Sequence, residues 1–321
     1  MTTMRAIVID ATGGPDVLHV AQVERPVRVN AEFVVKVVAA GVNPQDTKTR
    51  AGKGVAPAFA KYPVILGNDF SGLVVESAYE SHPLKVGDEV YGMTMVPRFG
   101  GTYAEYITVP AMCLARKPRA LSHVEAAGVP LAAMTAWGAV VDVAKAHEGQ
   151  RMLIHAGAGG VGHFAIQFAN FFGAHVITTG STRNASWLRE LGAAEVIDYS
   201  TTQFEDFVRD VDVVIDLIGN VKDDTGTRSL KVLKPGGLIV NLPTGSWPTF
   251  TEDVAAAGMR GSGYRVSADG STLAVISRLL ESGDVRVFVD QVFDLDKAPE
   301  AHEALETGHT RGKIVLKVSD G

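Results

Sequence analysis

The glycine spacing at Gly157, Gly159 and Gly162 constrains the fold of this chain more than any other feature. It lies in the stretch LIHAGAGGVGHFAIQFA, where an apolar strand precedes the glycines and apolar residues at helical spacing follow them. A strand, a glycine turn and a helix in this order direct backbone N–H groups and the positive end of the helix at a phosphate, which side chains would block. The stretch predicts a dinucleotide-binding loop that includes Gly160 and Val161. The alternative is a turn that only packs the helix on the strand.

The next apolar strand ends in TTGSTRN, and this end indicates which dinucleotide the loop binds. A cofactor with a free ribose 2′-hydroxyl calls for an Asp or Glu about 20 residues beyond the loop, and residues 178–184 contain neither. Gly180 leaves space, Ser181 offers a hydroxyl, and Arg183 offers a guanidinium suited to a phosphate. The sequence therefore predicts NADPH. The alternative is that Ser181 caps a helix and Arg183 is a solvated charge.

The order of strands and helices predicts an α/β protein with two domains. The first third contains β-branched and alternating runs separated by glycine turns, which is typical of a small barrel or sandwich. The middle begins with a helix that Ser122 and Glu125 cap, and then alternates apolar strands with helices, which is typical of a doubly wound parallel sheet. The end returns to the β-rich texture. The simplest arrangement is a β-rich domain built from both ends of the chain, with the doubly wound domain inserted between them.

Composition and charge exclude several other classes. The chain has 321 residues with a formal net charge of −6 and no cluster of Lys or Arg, so a nucleic-acid partner is not expected. Its single cysteine, Cys113, excludes an internal disulfide and suits a reducing compartment, and we expect a cytoplasmic protein. We expect no signal peptide, because Asp10 interrupts the first apolar run, and no membrane span, because the longest uncharged stretch, 126–141, is short and contains Pro130.

Several motifs occur in an order that resembles the medium-chain dehydrogenase/reductase superfamily, and in particular its zinc-free quinone oxidoreductase (zeta-crystallin-like) branch. They are AAGVNPQD, VGDEVYG, GTYAEY, HAGAGGVG, LGAAEVIDY, LKPGGLIV and GHTRGKIVL, and the resemblance spans residues 4–318. It implies a GroES-like substrate domain over 1–122 and 267–321 and a Rossmann domain over 123–266. It also implies NADPH-dependent reduction of quinones or α,β-unsaturated carbonyls, and a homodimer.

The same resemblance points to the place where zinc-dependent members bind their catalytic metal. Those members have a Cys after the AAG strand and a His in a GHE motif, whereas this chain has Asn43 in GVNPQD and Asn68 with Asp69 in LGNDFSG. Amides are poor zinc ligands, so no metal is expected. By resemblance, Asn43 lies near the nicotinamide and the substrate, and Asp46 and Asp69 orient neighbours or relay a proton. The alternatives are that Asp46 caps a helix or turn and that Asn68 and Asp69 cap a strand.

Further positions match family positions that contact the cofactor: Thr135, Tyr199, Leu242, Pro243, Arg311 and Lys313. The resemblance implies that the threonine and the Leu-Pro pair lie beside the nicotinamide, that the tyrosine lies near the adenosine phosphate, and that the arginine or the lysine approaches the cofactor phosphate. The alternatives are local. The threonine hydroxyl bonds to its own helix, the tyrosine is half-exposed at a strand end, and GHTRGK turns from the last helix into the last strand.

These observations lead to one main hypothesis and two alternatives. The main hypothesis is an NADPH-dependent oxidoreductase that transfers hydride to quinones, enones or enals without a metal. The first alternative is a reductase of a biosynthetic enoyl or polyketide intermediate. The second is an NADPH-binding sensor or structural protein with low turnover.

Overall fold

The structure, a computed structural model, describes residues 2–95, 98, 100–221 and 223–321. The chain divides into two compact units, one formed by Met1–Leu131 with Ser267–Gly321 and the other by Ala132–Val266. The predicted α/β class is confirmed, because one unit consists mainly of antiparallel strands and the other contains a parallel sheet. In the part of the chain that is described, no helix is both long and apolar enough to cross a membrane.

The β-rich unit contains a small antiparallel sheet and a larger, mostly antiparallel one. The small sheet consists of β1 (Thr3–Ile9), β2 (His19–Glu24) and β4 (Val64–Ile65), with β1 in the middle. The strands of the larger sheet are β3 (Glu32–Val42), β5 (Asp69–Glu76), β6 (Glu89–Met93), β7 (Tyr106–Pro110), β8 (Leu114–Arg116), β15 (Val289–Asp294) and β16 (Lys313–Lys317). Their order is β15–β16–β3–β5–β6–β8, and β7 pairs with the first half of β3. Strand β3 is therefore the centre of this unit.

Short helices lie against these sheets, and local sequence explains where they begin. They are α1 (Pro44–Arg50), α2 (His123–Ala127), the start of α3 (Pro130–Trp137), α8 (Gly270–Ser282) and α9 (Ala298–Glu306). The predicted capping box is confirmed, since the Glu125 N–H donates to Ser122 Oγ at 3.2 Å and the Ser122 N–H donates to Glu125 Oε2 at 2.8 Å. Helix α8 begins similarly at Asp269, whose carboxylate accepts two backbone N–H groups.

The second unit is a six-stranded parallel sheet with helices on its connections. Its strands are β9 (Arg151–Ile154), β10 (His175–Gly180), β11 (Glu195–Asp198), β12 (Val211–Asp216), β13 (Leu233–Asn241) and β14 (Arg260–Gly263), in the order β11–β10–β9–β12–β13–β14. The helices are α4 (Gly162–Phe171), α5 (Ala185–Glu190), α6 (Thr225–Ser229) and α7 (Phe250–Ala256), and α3 continues into a π-helical turn at Gly138–Val143. The strand order reverses between β9 and β12, and open α/β sheets bind ligands beyond the carboxyl ends at such a point.

The helix after the glycine loop buries three of the five residues whose apolar spacing predicts burial, and the other two, Val161 and Phe172, are partly buried. Phe164, Ala165 and Phe168 on α4 are fully buried, and Gly173 follows the helix with φ +80°.

The first boundary between the two units differs from the predicted domain boundary. The predicted boundary places residues 123–131 in the doubly wound domain, whereas these residues belong to the β-rich unit, where α2 packs on β3 and β5.

Candidate active site

Asn43 lies between the end of β3 and the start of α1, and its side chain is buried. Pro44 opens the helix behind it, and an asparagine in this position ordinarily caps the helix with its side chain. Here the carboxamide has other partners: Nδ2 donates to Oδ2 of Asp69 at 2.9 Å, and Oδ1 accepts from Nζ of Lys313. A carboxylate can only accept and an ammonium can only donate, so these two partners define the orientation of the amide.

Asp69 begins β5 directly opposite Gly41 of β3. A Cβ at position 41 would lie 2.4 Å from the carbonyl oxygen of Ala127 and 2.9 Å from the Cβ of Asp69, so only glycine lets α2 and β5 approach β3 this closely. The other carboxylate oxygen of Asp69 accepts from the N–H of Leu131 at 2.8 Å. Asp69 is thus held on both of its oxygens.

Lys313, the first residue of β16, is buried inside the β-rich unit with 3% of its surface exposed. Its Nζ donates to the carbonyl oxygen of Val42 at 3.1 Å and to Asn43, and it lies 3.9 Å from Oδ2 of Asp69. These partners all belong to the β-rich unit, and the contact with Asn43 orients its carboxamide. The approach of Arg311 or Lys313 to a cofactor phosphate, which the resemblance implies, stays a prediction.

Asp46, the third residue of α1, accepts hydrogen bonds from three donors. They are the backbone N–H of Asn43 at 2.9 Å, Nδ2 of Asn68 at 2.8 Å and the hydroxyl of Tyr103 at 3.2 Å. The first of these bonds caps the helix, as the local alternative expects. The other two join the carboxylate to β5 and to the segment before β7, so the residue does more than cap its own helix.

Three further side chains, which the sequence analysis did not identify, extend this cluster. Nε2 of His302 lies 3.2 Å from the hydroxyl of Tyr103, and NH1 of Arg50 lies 3.4 Å from Nδ1 of His302. NH2 of Arg50 donates to Oε1 of Glu306 at 2.7 Å. One signal for His302 was present in the sequence, because APEAHEALETG places this histidine on the apolar face of an amphipathic helix.

Burial changes the pKa of the two carboxyl groups, the lysine and the histidine of the cluster. It raises the pKa of Asp46 to about 7 against the opposing hydrogen bond from Asn43, and it raises the pKa of Asp69 to about 6 against the charge of Lys313. It lowers the pKa of Lys313, and with the Arg50 guanidinium it lowers the pKa of His302 to about 3. His302 is therefore neutral near pH 7.

The groups around Asp69 do not favour a metal ion. Across residues 2–95, 98, 100–221 and 223–321, no group of three or more His, Cys, Asp or Glu side chains is spaced to bind a metal ion. Asp69 faces the ammonium of Lys313 and an amide donor of Asn43. This set of donors suits a carboxylate and is unsuited to Zn²⁺, which prefers thiolate and imidazole ligands.

In the parallel unit, the glycine loop connects β9 to α4. Glycine is needed at its positions for different reasons. A Cβ on Gly157 would lie 2.1 Å from Oγ1 of Thr178, and a Cβ on Gly162 would lie 2.3 Å from the carbonyl oxygen of Ala156. Glycine is required there by the packing of the protein itself. A Cβ on Gly159 would lie 3.3 Å from the carbonyl oxygen of Ala156, which is a tight contact, but no other atom lies within 4 Å of it. Apart from that carbonyl, this side of the loop is open to another molecule that approaches the backbone, as a bound pyrophosphate does.

The residues predicted to contact the extra phosphate of NADPH follow β10. Gly180 is the last residue of that strand, and Ser181 accepts a hydrogen bond from Nδ2 of Asn184 at 3.3 Å. Arg183 is exposed on the following turn. The structure thus brings these residues to one end of the sheet, on the strand next to the glycine loop.

An acid outside the predicted window lies beside this turn, at the end of β11. Asp198 pairs with Gly180 across the two strands. Its carboxylate accepts the backbone N–H and the hydroxyl of both Thr182 and Ser200. These hydrogen bonds, those from Ser200 first, lower the pKa of Asp198 to about 2. Four donors fill the acceptor sites of one carboxylate, so Asp198 shapes the turn and is unsuited to bind a ribose hydroxyl.

The remaining predicted contacts are distributed over both units. Thr135 is buried in α3, Tyr199 is 60% exposed after β11, and Leu242 precedes Pro243 after β13. The N–H of Leu242 donates to the carbonyl oxygen of Asp216 at 3.0 Å, and its side chain lines a pocket with Trp247 and Tyr264. In the β-rich unit, the guanidinium of Arg311 lies 4.4 Å from the centre of the Phe288 ring. Contact of these residues with a cofactor stays a prediction.

Comparison with protein families gives two matches. Residues 30–119 match the alcohol dehydrogenase GroES-like domain, and residues 191–316 match the zinc-binding dehydrogenase family. A mitochondrial NAD(P)H oxidoreductase, RTN4IP1 of Danio rerio, is 34% identical over 99% of this chain and 92% of its own length. The chloroplastic NADPH-dependent alkenal/one oxidoreductase of Arabidopsis thaliana is 36% identical over 98% of this chain and 79% of its own length.

A solved structure shows the same likeness in three dimensions. The quinone oxidoreductase from Coxiella burnetii superposes with a TM-score of 0.93 at 38% identity, covering 99% of this chain and all of the other. Sequence and fold therefore agree over nearly the full length. The chain is an oxidoreductase of the medium-chain dehydrogenase/reductase superfamily, and it belongs to the quinone oxidoreductase-like branch.

Proposed function

We propose that this protein is an NADPH-dependent reductase that transfers hydride to quinones or α,β-unsaturated carbonyls without a metal ion. The observation that carries the proposal is the oriented carboxamide of Asn43, which by resemblance lies at or beside the place where zinc-dependent members of the superfamily have their Cys ligand. Lys313 and Asp69 hold its two ends. The similar proteins named for alkenal/one and quinone chemistry support the same class of substrate.

The parallel unit fits the proposed cofactor. The open side of Gly159 and the N-terminus of α4 suit a pyrophosphate, and the exposed Arg183 suits a 2′-phosphate. Asp198, the acid beside them, is already saturated by its own turn. NADPH, when bound, supplies a hydride that reduces the acceptor.

The β-rich unit supplies hydrogen bonds to the acceptor in this proposal. Nδ2 of Asn43 carries two N–H groups, and Asp69 accepts one of them. We assign the other to the carbonyl oxygen of the acceptor, where negative charge develops as hydride adds to the far end of a conjugated C=C. The small exposed fraction of Asn43 places this donor away from bulk water, where a hydrogen bond is stronger. One further proton completes the reduction, either of the enone to the saturated ketone or of the quinone to the hydroquinone, because the hydride carries both electrons and the other hydrogen.

A panel of electron acceptors tests the proposal. We expect the protein to oxidise NADPH with enones, 2-alkenals or quinones, and to keep its rate after dialysis against a metal chelator. Asn43→Ala should lower kcat by about 10–100-fold while the Kd of NADPH stays within about twofold, since a lost donor to developing charge costs about 1.5–3 kcal/mol.

Each other outcome of the panel has a definite meaning. Turnover of enoyl thioesters alone would replace the proposal by a biosynthetic enoyl reductase. Tight NADPH binding without turnover of any acceptor would replace it by an NADPH-binding protein. Loss of activity on chelation would contradict the metal-free reaction.

We also propose a homodimer in the cytoplasm. Strand β14 ends the parallel sheet and leaves one edge for pairing with another chain. The free thiol of Cys113, the single cysteine of the chain, is compatible with a reducing compartment.

A further inference from the structure

In the buried cluster around Asp46, four side chains are joined in a series of hydrogen bonds in which each group donates to the next. Guanidinium groups only donate, so NH1 of Arg50 makes Nδ1 of His302 an acceptor. A neutral imidazole then carries its proton on Nε2 and donates it to the oxygen of Tyr103. The hydroxyl proton of Tyr103 is left for the carboxylate of Asp46. The order of donation is Arg50, His302, Tyr103, Asp46.

Arg50, the first donor of this series, is held firmly. Arg50 is 3% exposed, and its guanidinium also donates to the carbonyl oxygen of Gly13 at 3.2 Å and to Glu306 at 2.7 Å. The side chain of Glu306 is 40% exposed, so the series of hydrogen-bonded side chains extends from the surface to Asp46. An arginine held on three sides cannot turn away from His302, and it therefore fixes the tautomer of that ring.

We propose that Arg50, His302 and Tyr103 are positioning residues for the reaction: as a one-way chain of donors they hold Asp46 as an acceptor, and through Asp46 they hold Asn43. This inference rests on the proposed function of Asn43. Asp46 is the link because its carboxylate accepts from the backbone N–H of Asn43 and from Asn68. A carboxylate that gains a proton loses acceptor capacity, and these bonds weaken.

The charge on Asp46 depends on everything packed against it. The titratable and charged groups that act on it directly are Asp69 from β5, Lys313 from β16 and Tyr103 from the segment before β7. Behind Tyr103 lie His302 from α9 and Arg50 from the end of α1. Among them, the hydroxyl of Tyr103 donates directly to the carboxylate. Removing that hydroxyl takes a donor from the charged form and favours the protonated one.

The decisive variant is Tyr103→Phe, with Tyr91→Phe as its matched control. Tyr91 is equally buried in the same unit, and its hydroxyl bonds to Leu273 and Ser277, outside the chain of donors. We expect Tyr103→Phe to lower kcat by about tenfold with little change in KM, and to move the acidic limb of the pH–kcat profile to higher pH. Tyr91→Phe should leave that limb where the wild-type protein has it.

A second measurement does not depend on turnover. The titration of the Asp46 carboxyl can be followed by ¹³C NMR on protein labelled at aspartate, with the signal assigned by Asp46→Asn. We expect the Asp46 pKa to rise in Tyr103→Phe and to stay unchanged in Tyr91→Phe. An unchanged Asp46 titration in Tyr103→Phe would overturn the inference, whereas failure of the wild-type protein to reduce any acceptor would overturn the proposed function alone.

His302 provides an independent variant pair in case Tyr103→Phe folds poorly. Glutamine retains one acceptor and one donor at the end of its side chain, and leucine retains neither. We expect His302→Leu to raise the Asp46 pKa as Tyr103→Phe does, and His302→Gln to stay nearer to the wild-type protein. Equal titration of Asp46 in both His302 variants would contradict the chain.

Discussion

At the residue scale, Asn43 and Arg183 owe their proposed roles to their neighbours. Asparagine is common before a helix, and arginine is common on a turn. Lys313 and Asp69 bond to the two ends of the Asn43 carboxamide and so orient it. Asp198 organises the turn that carries Arg183, because it binds the N–H and hydroxyl of the preceding Thr182. The side chains assigned to ligands therefore depend on buried or saturated carboxylates beside them.

Arg183 is the residue on which the preference for NADPH depends. We expect Arg183→Ala to weaken NADPH binding by about tenfold or more and to leave NADH binding nearly unchanged, since a charge-assisted hydrogen bond contributes about 1.5–3 kcal/mol. Arg189→Ala is the control, because Arg189 is exposed on the helix that follows. Calorimetric titration with both nucleotides measures this, and an unchanged NADPH to NADH ratio in Arg183→Ala would contradict the assignment.

At the element scale, the glycine loop contains a glycine that packing requires, Gly162, and one that we assign to cofactor binding, Gly159. We expect Gly162→Ala to lower the Tm of the protein without nucleotide by about 3 °C or more, because its Cβ would contact the backbone of Ala156 at 2.3 Å. Gly159→Ala should leave that Tm nearly unchanged and weaken NADPH binding. Thermal unfolding with and without NADPH distinguishes the two variants, and a large loss of Tm in Gly159→Ala would show that this glycine is structural too.

The elements themselves were predictable to different degrees. The parallel sheet and α4 followed from apolar strands and helical spacing, and the capping box at Ser122 followed from two residues. Strands β2, β4, β8 and β14 were not predicted. They are short or, like β2, largely exposed, so their sequences lack a clear apolar pattern. Contacts such as that between Tyr103 and His302 join residues 199 positions apart, and no local pattern encodes them.

At the scale of the whole molecule, the open edge of β14 leads to a prediction about assembly. Exposed sheet edges expose unpaired backbone groups that pair readily with another chain. We expect light scattering to give the mass of a dimer over a wide dilution series. A monomeric mass at every concentration would contradict the homodimer and leave the proposed reaction untouched.

The buried cluster also constrains the order in which the chain can mature during synthesis. Asp46 and Asp69 precede the parallel unit along the chain, whereas His302 and Lys313 follow it. Until those residues leave the ribosome, two carboxylates that are buried in the finished protein lack their neutralising partners, and burying them unpaired is costly. The amino-terminal part of the β-rich unit therefore completes its interior only after the segment that follows the parallel unit has been synthesised, although the parallel unit, encoded between the two halves, can fold first.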